Sequence, residues 1–163
     1  MSDWDTIVKE WLIDTGSVCA GGLCSTSDGA LYAASIDEGD AWQTLVREDH
    51  EENVVQADGV TEAPEMINDQ STILQAITEG VAPKGVWIGG NKYKIVRVEK
   101  DFQQNDASVH VIFCTKPQGG CFIVDTQNGS AVIAIYDESK EQSSGNCKKV
   151  ALQLAEYLVS QGY

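Results

Sequence analysis

The spacing of apolar residues changes character along the chain. Trp4, Ile7, Val8, Trp11 and Leu12 fall at i, i+3, i+4, i+7 and i+8, which predicts a helix over residues 4–13 with one apolar stripe. Ser2 or Asp3 can cap its start, and Gly16 can end it. Two strand-like runs follow at 18–25 and 30–35, around the turn Ser27-Asp28-Gly29. Residues 40–47 suit a short helix. From 50 to 64 the chain becomes polar and acidic. There Val54-Val55-Gln56-Ala57 and Val60-Thr61 flank Asp58-Gly59, which predicts a protruding hairpin. Helical spacing returns over 65–79 at Met66, Ile73, Leu74 and Ile77, with Gly80 beyond the end.

The second half is denser in strands. Short apolar runs at 86–88, 93–98, 109–115, 121–126 and 131–137 are joined by turn sequences such as Gly89-Gly90-Asn91 and Gln127-Asn128-Gly129. A last helix over 146–160 carries Ala151, Leu154, Ala155 and Leu158 on one stripe, with Gly162 at its end. This order predicts an α+β fold, a central antiparallel β-sheet flanked by N- and C-terminal helices. The 163 residues suit one domain with one core.

Charge narrows the partners. Formal net charge is −14, which disfavours nucleic acid and anionic membranes. The imbalance is confined to residues 1–69, where 16 acids meet two bases, Lys9 and Arg47; residues 70–163 hold nine of each. The acidic segment is either a solvated face or a surface for a separate partner. The longest apolar run, 131–136, is far short of a membrane span. The start Met1-Ser2-Asp3-Trp4-Asp5 has no basic region leading into an apolar stretch, so a cytoplasmic protein is expected.

No catalytic constellation emerges. Cys19, Cys24, Cys114, Cys121 and Cys147 form no C-x-x-C pair, and with His50 and His110 they make no zinc spacing; buried, reduced thiols are expected. The double glycines fit no phosphate loop, so no cofactor is indicated. Asp37-Glu38-Gly39-Asp40 lacks calcium-loop spacing. Cys114 and His110 are better read as packed strand residues than as a nucleophile pair.

Several stretches taken together have a counterpart. Trp4-Asp5-Thr6-Ile7-Val8 through Thr15-Gly16, Asp28-Gly29-Ala30-Leu31-Tyr32-Ala33-Ala34-Ser35, and above all Gly89-Gly90-Asn91-Lys92-Tyr93-Lys94-Ile95-Val96-Arg97 resemble profilins. So do Ile135-Tyr136-Asp137-Glu138, Gly145-Asn146-Cys147 and the end from Tyr157-Leu158 to Gly162-Tyr163. The resemblance covers the chain except about 47–65. That stretch departs from compact animal and plant profilins and looks like the acidic hairpin insertion of apicomplexan-parasite profilins.

The resemblance implies a non-enzymatic, cytoskeletal protein that binds monomeric actin and regulates its polymerisation, with a second site for proline-rich, formin-like partners. By motif, the actin-facing positions are Lys92, Arg97, Lys116, Gly145, Lys149 and Gln153, and the proline site is Trp4, Ile7, Tyr32, Tyr157 and Tyr163. Rings fit the grooves of a polyproline II (PPII) helix, which loses little entropy on binding. Many relatives carry a tyrosine where this chain has Ile7, so modest proline affinity is expected; alternatively, Trp4 and Tyr157 only seal the two helices together. Phosphoinositide binding is expected to be weak or absent. The rival function is an adaptor whose acidic hairpin is recognised by a host innate-immune Toll-like receptor.

Overall fold

The computed structural model describes residues 3–56 and 58–163. Seven strands form one antiparallel sheet: β1 (Ala20–Ser25), β2 (Leu31–Ile36), β5 (Val86–Ile88), β6 (Asn91–Gln104), β7 (Ala107–Lys116), β8 (Gly119–Asp125) and β9 (Ser130–Asp137), in the order β2-β1-β9-β8-β7-β6-β5. The consecutive strands β5 to β9 make the meander expected from the sequence, and β1 pairs with β9 to append the first hairpin. β3 (His50–Val55) and β4 (Glu62–Ile67) form a separate two-stranded sheet.

Alternation along the central strands sorts side chains to two faces. Val132, Ala134 and Tyr136 meet Val8 of α1 (Asp3–Trp11), Leu12 just beyond its end, and Leu154 and Leu158 of α4 (Ser144–Ser160). Ala131, Ile133 and Ile135 meet Leu45 of α2 (Ala41–Leu45) and Ile73 and Ala76 of α3 (Asp69–Glu79). Both faces of β9 are therefore covered, which is why its sequence is a continuous apolar run. The terminal helices need close approach: a Cβ on Gly21 would lie 2.7 Å from Leu12 Cδ1 and 2.9 Å from the Ile133 carbonyl oxygen.

The hairpin is fastened along its length, from His50 and Ile67 at its open end to Val54 near the turn. Val54 and Ile67 close over Trp87 in a small apolar cluster. Beside it, His50 bridges two carboxylates, with Nδ1 2.8 Å from Glu52 Oε2 and Nε2 2.6 Å from Asp69 Oδ1. Lys84 pairs with Glu65 at 2.7 Å.

Some boundaries differ from the sequence reading. Residues 65–67 are strand, not helix: they pair with 50–52, and Met66 is 65% exposed. Asn68 starts α3 by accepting a hydrogen bond from Ser71 N at 2.8 Å, so the helix begins after the apolar residue that suggested it. β6 runs well past Val98; its bulges near Val96 and Asp101 break the alternation that would mark this stretch as strand in the sequence. The first helix ends at Trp11, followed by a 3-10 turn (Ile13–Thr15) before Gly16. The proposed cap Ser2 and hairpin residue Ala57 lie outside the described residues.

Candidate functional site

Two surfaces collect the residues singled out in the sequence. The first is aromatic. On α1, Trp4 and Trp11 lie one heptad apart on the face that meets α4 and the sheet edge. Trp4 makes edge-to-face contacts with Tyr32 on β2, at 5.9 Å between centroids, and with Tyr163 at the chain end, at 4.7 Å. Trp11 stacks on Tyr157 of α4 at 4.8 Å. Ile7 sits between the two groups on α1, partly buried against the core. Trp4, Trp11, Tyr32 and Tyr157 are half-buried and Tyr163 is exposed, so the rings pack on the core while keeping a wet side.

Local chemistry holds these rings in place. Asp5, 8% exposed, accepts a hydrogen bond from Ala34 N at 2.9 Å and one from Trp42 Nε1 at 3.4 Å, fixing α1 to the sheet edge and to α2. The Tyr32 hydroxyl donates to Ser130 Oγ at 2.9 Å, which orients its ring toward Trp4. Burial raises the Tyr32 pKa above the usual tyrosine range, so the phenol stays a neutral donor.

The second surface is basic. Lys92, Lys94 and Arg97 are exposed along β6; Lys100, also exposed, lies farther along it in the pocket beside α3. Arg97 lies 3.8 Å from Glu99, which also pairs with Lys148 of α4 at 2.8 Å; Lys148 in turn sits 4.7 Å over the Phe102 ring. Gly145, Lys149 and Gln153 form an i, i+4, i+8 line of exposed positions on α4. A Cβ on Gly145 would meet nothing within 4 Å, so this position is open.

The structure does not group every predicted residue as the sequence did. Lys116 is half-buried, 5.9 Å from the Tyr93 ring, on the α2/α3 side of the sheet and away from α4. Gln153 lines the groove beside Trp11 and Tyr157, so it borders the aromatic surface as well as the α4 line. The residue missing from the sequence-derived site is Trp11. It was visible as part of the apolar stripe, but a stripe alone does not tell a ring in the core from a ring at its rim.

The remaining candidate chemistry is structural. All five cysteines are free thiols, and burial pushes Cys24 up to about 12. His110 Nδ1 accepts from Asp101 N at 3.1 Å, and Cys114 is fully buried. Among the described residues, no helix is long and apolar enough to cross a membrane.

Both terminal helices lie on one face of a sheet that carries ring-lined and basic surfaces. Comparison with known proteins places the chain. The profilin family model matches residues 2–163. Profilin of Plasmodium falciparum is 36% identical over 161 residues, spanning 95% of this chain and 94% of that protein. Profilin of Plasmodium berghei is 33% identical over 162 residues, spanning 96% and 92%. The chain belongs to the profilin family of actin-binding regulators. Solved structures share its fold: Schizosaccharomyces pombe profilin (TM-score 0.65, 19% identity, covering 99% of this chain and 100% of that one) and Acanthamoeba castellanii profilin IA (TM-score 0.63, 21%, 99% and 100%). A third is mouse profilin IIa in complex with a double repeat from the FH1 domain of mDia1 (TM-score 0.59, 16%, 99% and 100%).

Proposed function

We propose that this profilin binds monomeric actin through its basic surface and hands it to proline-rich elongation factors held at the aromatic surface. The observation that carries the reading is a pair of ring groups along α1, Trp4 with Tyr32 of β2 and Tyr163 at the chain end, and Trp11 with Tyr157 of α4, each with a side open to water. Exposed apolar rings in mutual contact are costly to leave in water without a ligand. A neighbour of the same fold is known in complex with an FH1 repeat, which supports a proline-rich occupant here. The exposed bases Lys92, Arg97 and Lys149 suit an acidic partner and would steer its encounter.

The test is retention on a polyproline resin and co-purification with monomeric actin. Trp4→Ala should abolish retention on the resin and leave actin binding intact. Loss of both together, with loss of fold, would assign Trp4 to core packing and overturn the site. Affinity for a proline-rich peptide should fall at about 10 μM to 1 mM, roughly −7 to −4 kcal/mol. It should depend little on salt, because ring–proline contact is apolar.

A second reading has its own support. Glu51, Asp58 and Glu62 are exposed on the fastened hairpin, a presentable acidic epitope for an innate immune receptor. Deleting residues 51–63 separates the two: actin binding persists under the first, receptor signalling falls under the second.

A further inference from the structure

Beyond the Trp11–Tyr157 stack, a groove of about 570 Å³ continues along α4 toward the β6–β7 turn, with Gln153 and Glu156 on its wall. Glu156 is held in place. Asn105, in the turn, donates its Nδ2 to both carboxylate oxygens, at 2.9 and 2.8 Å. An amide orients the carboxylate without neutralising it, and each oxygen keeps a further lone pair. Among the described residues Glu156 joins no ion pair, and no Lys or Arg lines the groove. A fixed negative charge thus stands next in sequence to the ring of Tyr157.

The spacing of the rings suggests what lies across them. Trp4 and Trp11 are seven residues apart, about 10 Å along α1. One PPII turn rises about 9 Å, so successive turns of a proline helix can meet the two ring groups. A ligand that spans both ends over Tyr157 and enters the groove holding Glu156.

We propose that Glu156 makes this site selective for proline-rich segments flanked by a lysine or arginine within about one PPII turn of the ring-bound prolines. The proposal rests on the proline-binding reading and adds the chemistry of the flank. The basic residue faces the carboxylate that Asn105 orients; an arginine there also lies close enough to the Trp11–Tyr157 pair to stack. An acidic flank meets repulsion instead.

The experiment compares decaproline with the same peptide carrying two arginines, or two glutamates, at its N- or C-terminal end. Binding is followed by tryptophan fluorescence in wild-type protein, Glu156→Gln and the hairpin control Glu62→Gln. One of the arginine peptides should bind the wild type about two- to fivefold more tightly than decaproline, the range of one partly exposed ion pair, and the glutamate peptides more weakly. Glu156→Gln keeps an acceptor for Asn105, so the fold is preserved; it should erase the arginine preference, and Glu62→Gln should retain it. Equal affinity of flanked and plain peptides for the wild type overturns the proposal. A preference that survives Glu156→Gln also overturns it and assigns the effect to the net charge of −14. If decaproline itself fails to bind, the proline reading falls as well, so the two failures are distinguishable.

Discussion

The aromatic groove and the acidic hairpin are built on opposite principles. The groove between α1 and α4 uses the outer rim of the main core: Trp4, Ile7, Trp11, Tyr32 and Tyr157 all pack against buried residues of the sheet. The hairpin stands outside that sheet and is joined to the body by one small cluster, a histidine between two carboxylates and an ion pair. In the groove, the proposed binding surface and the rim of the core are therefore the same atoms, and a substitution risks changing both. The exposed charges of the hairpin and of β6 contribute little to folding, so substituting them should leave the fold intact.

The sharpest way to break the comparison is at the hairpin's one apolar anchor. Trp87 is 6% exposed; its indole N–H donates to the Lys84 carbonyl at 2.9 Å, and its backbone N–H to Thr72 Oγ1 at 2.9 Å. Trp87→Ala should cost about 3–5 kcal/mol in chemical denaturation. The hairpin should become protease-sensitive while the α1/α4 rings still bind decaproline. Loss of decaproline binding at the same time would show that the two regions are not independent.

Next in size is charge reversal on β6. Lys92→Glu with Arg97→Glu should weaken actin binding by about 2 kcal/mol or more, since repulsion replaces attraction. Both side chains are exposed, so circular dichroism and the denaturation midpoint should hardly move. Unchanged actin affinity would remove both from the interface.

How far the sequence discloses this molecule depends on the kind of signal. The meander and the terminal helices were readable because period-2 and 3.6 spacing reports burial directly, as with Ala131 to Ile135 and the α4 stripe. The sheet order was not readable: nothing in residues 20–25 says that they pair with 130–135. The start of α3 is hidden because Met66 has helical spacing but points to solvent, and only the Asn68 cap marks the boundary. Within the candidate site, motif alone brings out Trp4, Tyr32 and Tyr163, and Trp4 touches both others, whereas only its stack on Tyr157 distinguishes Trp11 from a core residue. Lys116 was carried along by motif, and a single strand position cannot announce which face of the sheet it takes.

The smallest expected effect concerns pH and tests whether the hairpin's fastening is electrostatic. His50 faces Glu52 on its own strand, Asp69 at the start of α3 and the Trp87 ring at 5.1 Å on β5, and Asp69 also accepts from Gly90 N at 3.0 Å. Hydrogen bonding to Asp69, and then to Glu52, raises the His50 pKa above its ordinary value, against an opposing contribution from desolvation. A neutral imidazole carries one N–H and can serve only one carboxylate, whereas the protonated ring serves both. Because the folded pKa is raised, this contribution is fully present below the unfolded value, about 6.5, and is lost as pH rises through the folded value. The stability gap between wild type and His50→Gln should therefore be widest near pH 5.5–6 and shrink toward pH 8.5, measured as denaturation midpoints across that range. Asp69→Asn should lower the His50 titration midpoint seen by NMR, with His110→Gln used to assign the two imidazole signals. A gap that stays constant with pH would show that the apolar cluster of Val54, Ile67 and Trp87 and the Lys84–Glu65 pair fasten the hairpin without the His50 charge, and that His50 contributes only its shape.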